Sequence, residues 1–242
     1  MGLNARADHR LVTRIRTELA AAGDPERATG QQQYMKSALP FHGITTPELT
    51  KLLKPILAGH RIDDRNVWEA TIRALWDHAT HREQWYAALA LADHKHYAEW
   101  RDPDTLALYR HLIVTGAWWD VVDVIASRHV GLILGTYRPQ VTPQIRRWAT
   151  DHDLWIRRTA ILAQLKHKAS TDTDLLADAL VANLIHSPFG REFFIRKAVG
   201  WALREYAKTD PDWVEGFLDD AGEDLAPLSR REATKHLRRR KR

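Results

Sequence analysis

The sequence contains no cysteine in its 242 residues. That excludes disulfides, thiolate zinc sites, cysteine-bound iron–sulfur clusters and a cysteine nucleophile. Long apolar runs are also missing. The longest, WYAALALA at Trp85 to Ala92, is far short of the ~20 residues a membrane-spanning helix needs. The opening MGLNARADHR has no apolar stretch and no cleavage signature, so no signal peptide is expected there. Arg6 also breaks the myristoylation pattern. These absences predict a chain with no membrane partner and a cytoplasmic location. No Asn-Gly hairpin turn and no convincing period-two strand occur. Walker, GxGxxG and GxSxG motifs are absent. The 13 histidines form only two close pairs, His78 with His81 and His94 with His96. Neither has a third ligand, so no metal and no cofactor is expected.

What is present is ordinary for a globular protein: 44% hydrophobic and 28% charged residues. No linker or low-complexity break interrupts the chain, so a single domain over 1–242 is expected. The net charge of +5 is concentrated in the tail SRREATKHLRRRKR, Ser229 to Arg242. That tail carries +7, which leaves −2 for residues 1–228. Its last residues, 238–242, are expected to be mobile. A basic tail fits nucleic-acid binding and equally fits a solubilising end.

The chain reads as about a dozen helices of one to two dozen residues. Five starts pair a capping residue with proline: Asp24-Pro25, Thr46-Pro47, Asp102-Pro103, Thr142-Pro143 and Asp210-Pro211. The capping side chain accepts from an orphan amide, and proline at the first helical position loses no hydrogen bond. Ser229 with Glu232 has the spacing of a capping box for the last helix. Pro55 is expected to kink or split its helix. Core stripes recur at helical spacing, as in Val67, Trp68, Ile72, Leu75 and Trp76, and in Phe194, Ile195, Ala198, Val199, Ala202 and Tyr206. The expected class is all-α. HEAT-like repeats of roughly 40 residues would form a curved solenoid with a concave binding groove. An irregular bundle is the alternative.

Three stretches carry side chains that a core does not explain. In GAWWDVVDVIA, Trp119 and Asp123 are four apart and share a helix face. Trp118, Val122 and Ile125 form the neighbouring stripe that should face the core. Asp120 falls where the helix dipole favours an acid, but Asp123 sits among aliphatics. It is either a structural acid bonded to a tryptophan N–H or an arginine, or a working carboxylate. In LWIRRTAILAQLKHK, Arg158 interrupts the stripe of Leu154, Ile161 and Leu165, and needs an acid or a phosphate. Arg157 points elsewhere and is expected in solvent. Lys166 and Lys168 fall near the helix end. In EFFIRKAVGWALREYAK, Lys197, Trp201, Arg204 and Lys208 line one face. This is a nucleic-acid contact or a solvated face whose tryptophan packs on a neighbour.

The stretches QQQYMKSALPFHGITTPE, WWDVVD, DLWIRRTAILAQLKHK, EFFIRKAVGWALREYAKTDPDWV and LAPLSRREATKHL, in this order, resemble the AlkD family of bacterial alkylpurine DNA glycosylases. The similarity runs from about Gln31 to Leu237. It implies HEAT-like repeats cupping duplex DNA, and release of purines alkylated at N3 or N7 to leave an abasic site, without base flipping. It implies that Asp123 is the catalytic aspartate, with Trp119, Trp201 and Arg158 around it. Tyr34, Lys36, Thr45, Thr46, Lys166, Lys197 and Arg204 are the matching or basic positions expected to contact DNA. The expected partner is duplex DNA carrying alkylated purines, engaged by a monomer associated with the nucleoid. Phe189-Gly190 and the long basic tail depart from the family pattern. A non-catalytic helical-repeat nucleic-acid-binding protein is the competing reading, and an RNA-binding repeat protein is a third. Retention of Asp123, Trp119, Trp201 and Arg158 together favours the enzyme.

Overall fold

The computed structural model describes residues 6–240, with side chains for 6–237. All regular elements among the described residues are helical, as expected of an all-α chain. The chain forms two compact units, Met1–Trp100 and Arg101–Arg242. The first contains α1 (His9–Ala21), α2 (Pro25–Met35), α3 (Thr46–Ala58), α4 (Arg65–Asp77) and α5 (Arg82–Ala92), then a 3-10 segment, Lys95–Trp100. The second contains α6 (Leu106–Gly116), α7 (Trp119–Val124), a π-helical stretch (Ile125–Val130), α8 (Gly131–Thr136) and α9 (Arg138–Ala149). It continues with α10 (Leu154–Leu162), α11 (Thr173–Val181), α12 (Phe193–Tyr206), α13 (Pro211–Ala221) and α14 (Pro227–Arg240). The α-helices are 6–14 residues long, shorter than the sequence suggested. Among the described residues no helix is long and apolar enough to cross a membrane. The WYAALALA run is instead in α5, where Ala87, Ala88, Leu91 and Ala92 are fully buried.

The core of the first unit is built on α4. Trp68, Ile72 and Leu75 are fully buried beside Ile15 and Leu19 of α1. Trp76 stacks on Trp85 with ring centroids 4.8 Å apart. In the second unit Ile195, Ala198, Val199, Ala202 and Leu203 of α12 pack with Ala233 and Leu237 of α14. Val214 and Leu218 of α13 and Ile161 and Leu162 of α10 complete that core.

Several local signals resolve differently from the sequence pattern. Asp24 and Asp210 cap α2 and α13, and Asp102 caps a 3-10 turn that precedes α6. The cap of α3 is Thr45, so Thr46 is already helical. Pro143 lies inside α9, which starts one turn earlier beside Pro139. Pro55 lies in the last turn of α3, which is not split. Ser229 and Glu232 are no capping box: α14 begins before them, and the Ser229 hydroxyl donates to the Arg196 carbonyl across to α12. Of the basic tail at 238–242, the backbone of 238–240 continues α14; the remainder lies outside the described residues.

Arg157 is the largest correction. It is 5% exposed rather than solvated. Its guanidinium donates to the carbonyls of Thr150 (3.1 Å), Asp151 (2.5 Å) and Ala182 (3.3 Å). These acceptors lie just beyond the C-termini of α9 and α11, where carbonyls lack helical partners. Replacing Arg157 with Met should therefore cost about 2–4 kcal/mol of unfolding free energy, because it strands buried acceptors. The readout is the denaturant midpoint at constant slope. A cost below about 0.5 kcal/mol would mean that the guanidinium does not secure these ends.

Candidate active site

The site is assembled in the second unit. Ala117, at φ 40, turns the chain out of α6. Trp118 follows in extended conformation as the N-cap of α7. Trp119 then opens the helix, Asp120 occupies its first turn, and Asp123 lies one turn beyond Trp119. The backbone next widens into the π-helical stretch, where the Ser127 hydroxyl donates to the Asp123 carbonyl at 2.7 Å. Such widened turns are frequent where a helix must aim a functional side chain. Val122 and Ile125 face the core as expected, whereas Trp118 is only half-buried.

Arg158 arrives from α10, which packs against both α7 and α12. Its Nε donates to Asp123 Oδ1 at 2.7 Å and its Nη2 to Asp123 Oδ2 at 2.8 Å. Its Nη1 donates to the Phe194 carbonyl at the start of α12. The two buried charges that the sequence left unexplained are therefore each other's partner. Their side chains are 6% (Arg158) and 14% (Asp123) exposed. Burial pushes the Asp123 carboxyl above the usual aspartate range; the Arg158 hydrogen bonds and charge oppose that push, and Asp120 adds to it. A bidentate guanidinium uses one acceptor site on each oxygen, so the carboxylate keeps capacity to accept again.

An aromatic shell flanks this pair. Phe194 contacts Trp118 (5.3 Å between centroids), Trp155 (4.9 Å) and Phe193 (5.4 Å). The Arg158 guanidinium carbon lies 5.8 Å from the Phe194 ring centroid. Phe193 is 52% exposed, at the rim of this cluster. Trp155 and Phe193 were not anticipated as site neighbours; an aromatic beside an arginine on a helix has too many other uses to be a signal.

Trp201 is half-buried on α12 and packs against the core cluster. Lys197 and Arg204, on either side of it, both hydrogen-bond to Glu232 of α14. Lys208 pairs with Glu205 at 2.6 Å. Lys166 is exposed in the turns after α10. A cavity of about 220 Å³ lies in this unit, lined by residues that include Ile161, Leu165, Lys168, Leu176 and Tyr206. None of Trp119, Asp123, Arg158 and Trp201 lines it, so it is no recess over the carboxylate.

The remaining candidates belong to the first unit. Tyr34 on α2 is 77% exposed, and Lys36 ends that helix in a left-handed cap at φ 50. Thr45 donates from both its amide (2.8 Å) and its hydroxyl (2.7 Å) to Glu48, and Thr46 is exposed at the start of α3. The loop before them is held by Glu83, fully buried at the start of α5. Its carboxylate accepts from the amides of His42 (2.9 Å), Gly43 (3.0 Å) and Ile44 (3.2 Å). Gly43 adopts φ +89 with the Asp24 carbonyl against it, a place only glycine fits. Nothing in the sequence distinguished Glu83 from a surface glutamate.

Among the described residues no three or more His, Asp and Glu side chains converge as metal ligands would. The Asp123–Arg158 ion pair generates a stability prediction. Arg158→Met should cost about 3–5 kcal/mol at neutral pH, because it leaves a buried carboxylate alone. A carboxyl whose folded pKa is raised is least costly when protonated, so its penalty grows as pH rises. Part of the loss should therefore be recovered on acidification from pH 7 to about 5, where the stranded Asp123 takes a proton. Equal losses at both pH values, measured by denaturant unfolding, would show that Asp123 carries no buried charge.

No curated protein matches the sequence. A solved structure described as a predicted DNA alkylation repair enzyme from Enterococcus faecalis is similar, with a TM-score of 0.78 and 31% identity. The match covers 89% of this chain and 96% of that one. The family model for DNA alkylation repair enzymes matches residues 15–237, a span that includes every candidate site residue. The chain belongs to the DNA alkylation repair enzyme family.

Proposed function

We propose that this repair enzyme is a monofunctional DNA glycosylase of the AlkD type. It hydrolyses the N-glycosidic bond of purines made cationic by alkylation at N3 or N7, in duplex DNA, and leaves an abasic site. The observation that carries this reading is the buried Asp123 carboxylate. It is fixed by two hydrogen bonds from Arg158 and stands one helical turn from Trp119.

The chemistry follows from where charge moves. As the bond between the sugar C1′ and the base nitrogen breaks, its electron pair goes to the base. The alkylpurine leaves neutral, and positive charge develops on the sugar. A carboxylate fixed in a water-poor surface stabilises that charge without reorganising. The faces of Trp119 and Trp201 favour cationic character and limit bulk water. Water then adds to C1′ and loses one proton. Burial makes Asp123 a better base than an ordinary aspartate, which suits it to orient that water and take the proton. No lysine adduct with the sugar is needed, which is why the enzyme is monofunctional. In this reading Tyr34, Lys36, Thr45, Thr46, Lys166, Lys197 and Arg204 contact the duplex, mostly its phosphates. The target base stays stacked, and the protein acts as a monomer.

Asp123→Asn should lower single-turnover excision of 7-methylguanine by about 10²–10³-fold, the usual worth of one preorganised group. Retention of the wild-type rate would remove Asp123 from the chemistry. The wild-type rate should rise with pH through a midpoint above the ordinary aspartate value of 3.8 and then level off, because the ionised carboxylate is the active form. A rate that falls as pH rises through that range would assign the active form to the acid instead.

The leaving group supplies a second test. Single-turnover release should be fast from duplexes carrying 7-methylguanine, 3-methyladenine or a bulky N3-adenine adduct. It should be negligible for hypoxanthine, whose departure needs a general acid that this site lacks. Comparable rates on hypoxanthine and 7-methylguanine would refute the charge argument. Rejection of every bulky adduct would indicate a closed base pocket and a flipping mechanism. Binding to duplexes without release of any base would favour the non-catalytic reading.

A further inference from the structure

Glu232 is buried and accepts from three cationic side chains, and the proposed chemistry gives it no role. It is 7% exposed. Its Oε1 accepts from Lys197 Nζ at 2.9 Å and from Lys235 Nζ at 2.8 Å, and its Oε2 accepts from Arg204 Nη1. One acid thus gathers three cations, which leaves the group two charges positive.

The backbone fixes this arrangement. A Cβ added to Gly200 would stand 2.6 Å from the Glu232 Cβ and 2.8 Å from the Ser229 carbonyl oxygen. Helices α12 and α14 therefore approach closer than any residue but glycine allows. The Ser229 hydroxyl locks the same crossing by donating to the Arg196 carbonyl at 2.8 Å. Glu232 is pinned over Gly200, and Lys197 and Arg204 are the residues one turn to either side of it. Trp201 is on the same face as both, at the i+4 position from Lys197.

We propose that Glu232 is a positioning residue that holds Lys197 and Arg204 as one rigid pair, aimed at a DNA backbone phosphate beside Trp201. Lys197 and Arg204 remain 38% and 30% exposed. Each gives Glu232 a single hydrogen bond, whereas an ammonium has three donors and a guanidinium five. The unused donors are available to phosphate oxygens. Without the acid, the like charges would repel and the long side chains would spread over many rotamers, and binding would have to order them again. Hydrogen bonds from Lys235 and then Lys197, against the effect of burial, pull Glu232 down to about 2. The anchor therefore stays ionised throughout the pH range in which DNA is bound.

The inference rests on the reading that this chain binds duplex DNA, and the test separates the two. Affinity for an undamaged duplex is measured by fluorescence anisotropy for the wild type and for Glu232→Gln, with circular dichroism confirming the fold. Glu232→Gln makes the protein one charge more positive, so a purely electrostatic role predicts tighter binding. Positioning predicts binding weaker by about fivefold, a typical coupling within one charged network. In single-turnover excision the loss should fall on the half-saturating protein concentration and not on the plateau rate. Equal or tighter binding by Glu232→Gln overturns the proposal.

A second measurement does not depend on that variant folding. Lys197→Met and Arg204→Met should lose affinity sub-additively. Removing one cation lets Glu232 claim the other more fully, so the double variant adds little. Additive losses, as expected of independent phosphate contacts, overturn the proposal. A wild-type chain that binds no duplex overturns the functional reading along with it. A wild type that binds while Glu232→Gln is unchanged overturns the positioning role alone.

Discussion

The second unit is organised around one buried ion pair. Asp123 and Arg158 are 35 residues apart in sequence and come from two different helices, α7 and α10. A buried pair of this kind rarely adds net stability, since two desolvated charges cost about as much as their attraction returns. Apolar residues of the same volume would pack α7 against α10 equally well. What the pair provides is a buried carboxylate held in one orientation by two hydrogen bonds. The Phe194 carbonyl, which takes the remaining guanidinium edge, extends that constraint to the start of α12. The helices that carry Trp119, Asp123, Arg158 and Trp201 are thus coupled through one guanidinium.

Two other buried charges in the protein serve the backbone. Arg157 is adjacent to Arg158 yet binds carbonyls beyond the ends of α9 and α11. Glu83 binds three successive amides of the loop that leads into Thr45 and Thr46. In both cases a charge completes polar groups that would otherwise be buried without partners. Asp123 differs from these two because its partner is another charged side chain.

The sequence made much of this legible, and its failures have physical causes. The all-helical class followed from repeated cap-and-proline starts and 3.6-residue stripes, which depend on neighbours along the chain. Asp123 and Arg158 stood out because each broke an apolar stripe, and burial of a lone charge is costly enough to demand an explanation. Their pairing could not be read, since it depends on how α7 and α10 cross. The burial of Arg157 is illegible for the same reason: its partners lie beyond two other helix ends, invisible from its own helix. Ser229 and Glu232 had capping-box spacing, but the close approach at Gly200 moved both into contact with α12 instead. Glu83 left no trace, because an acid in a nest of backbone amides needs no partner side chain to betray it.

Arg158 has a further consequence when the ligand is a polyanion. Burial alone already raises the Asp123 carboxyl. A DNA backbone placed over the site adds negative charge nearby and removes water, and both effects favour the protonated acid. In the proposed mechanism, a lone aspartate at this depth would be driven toward neutrality by the same binding event that needs its charge. Arg158 opposes that drift from inside the protein, where displacement of solvent strengthens its attraction for the carboxylate. The pair as a whole is neutral, so it does not repel the backbone. In the proposed mechanism the phosphates of the duplex therefore meet a site with little net charge, while the carboxylate is held in place for the cation that develops on the sugar.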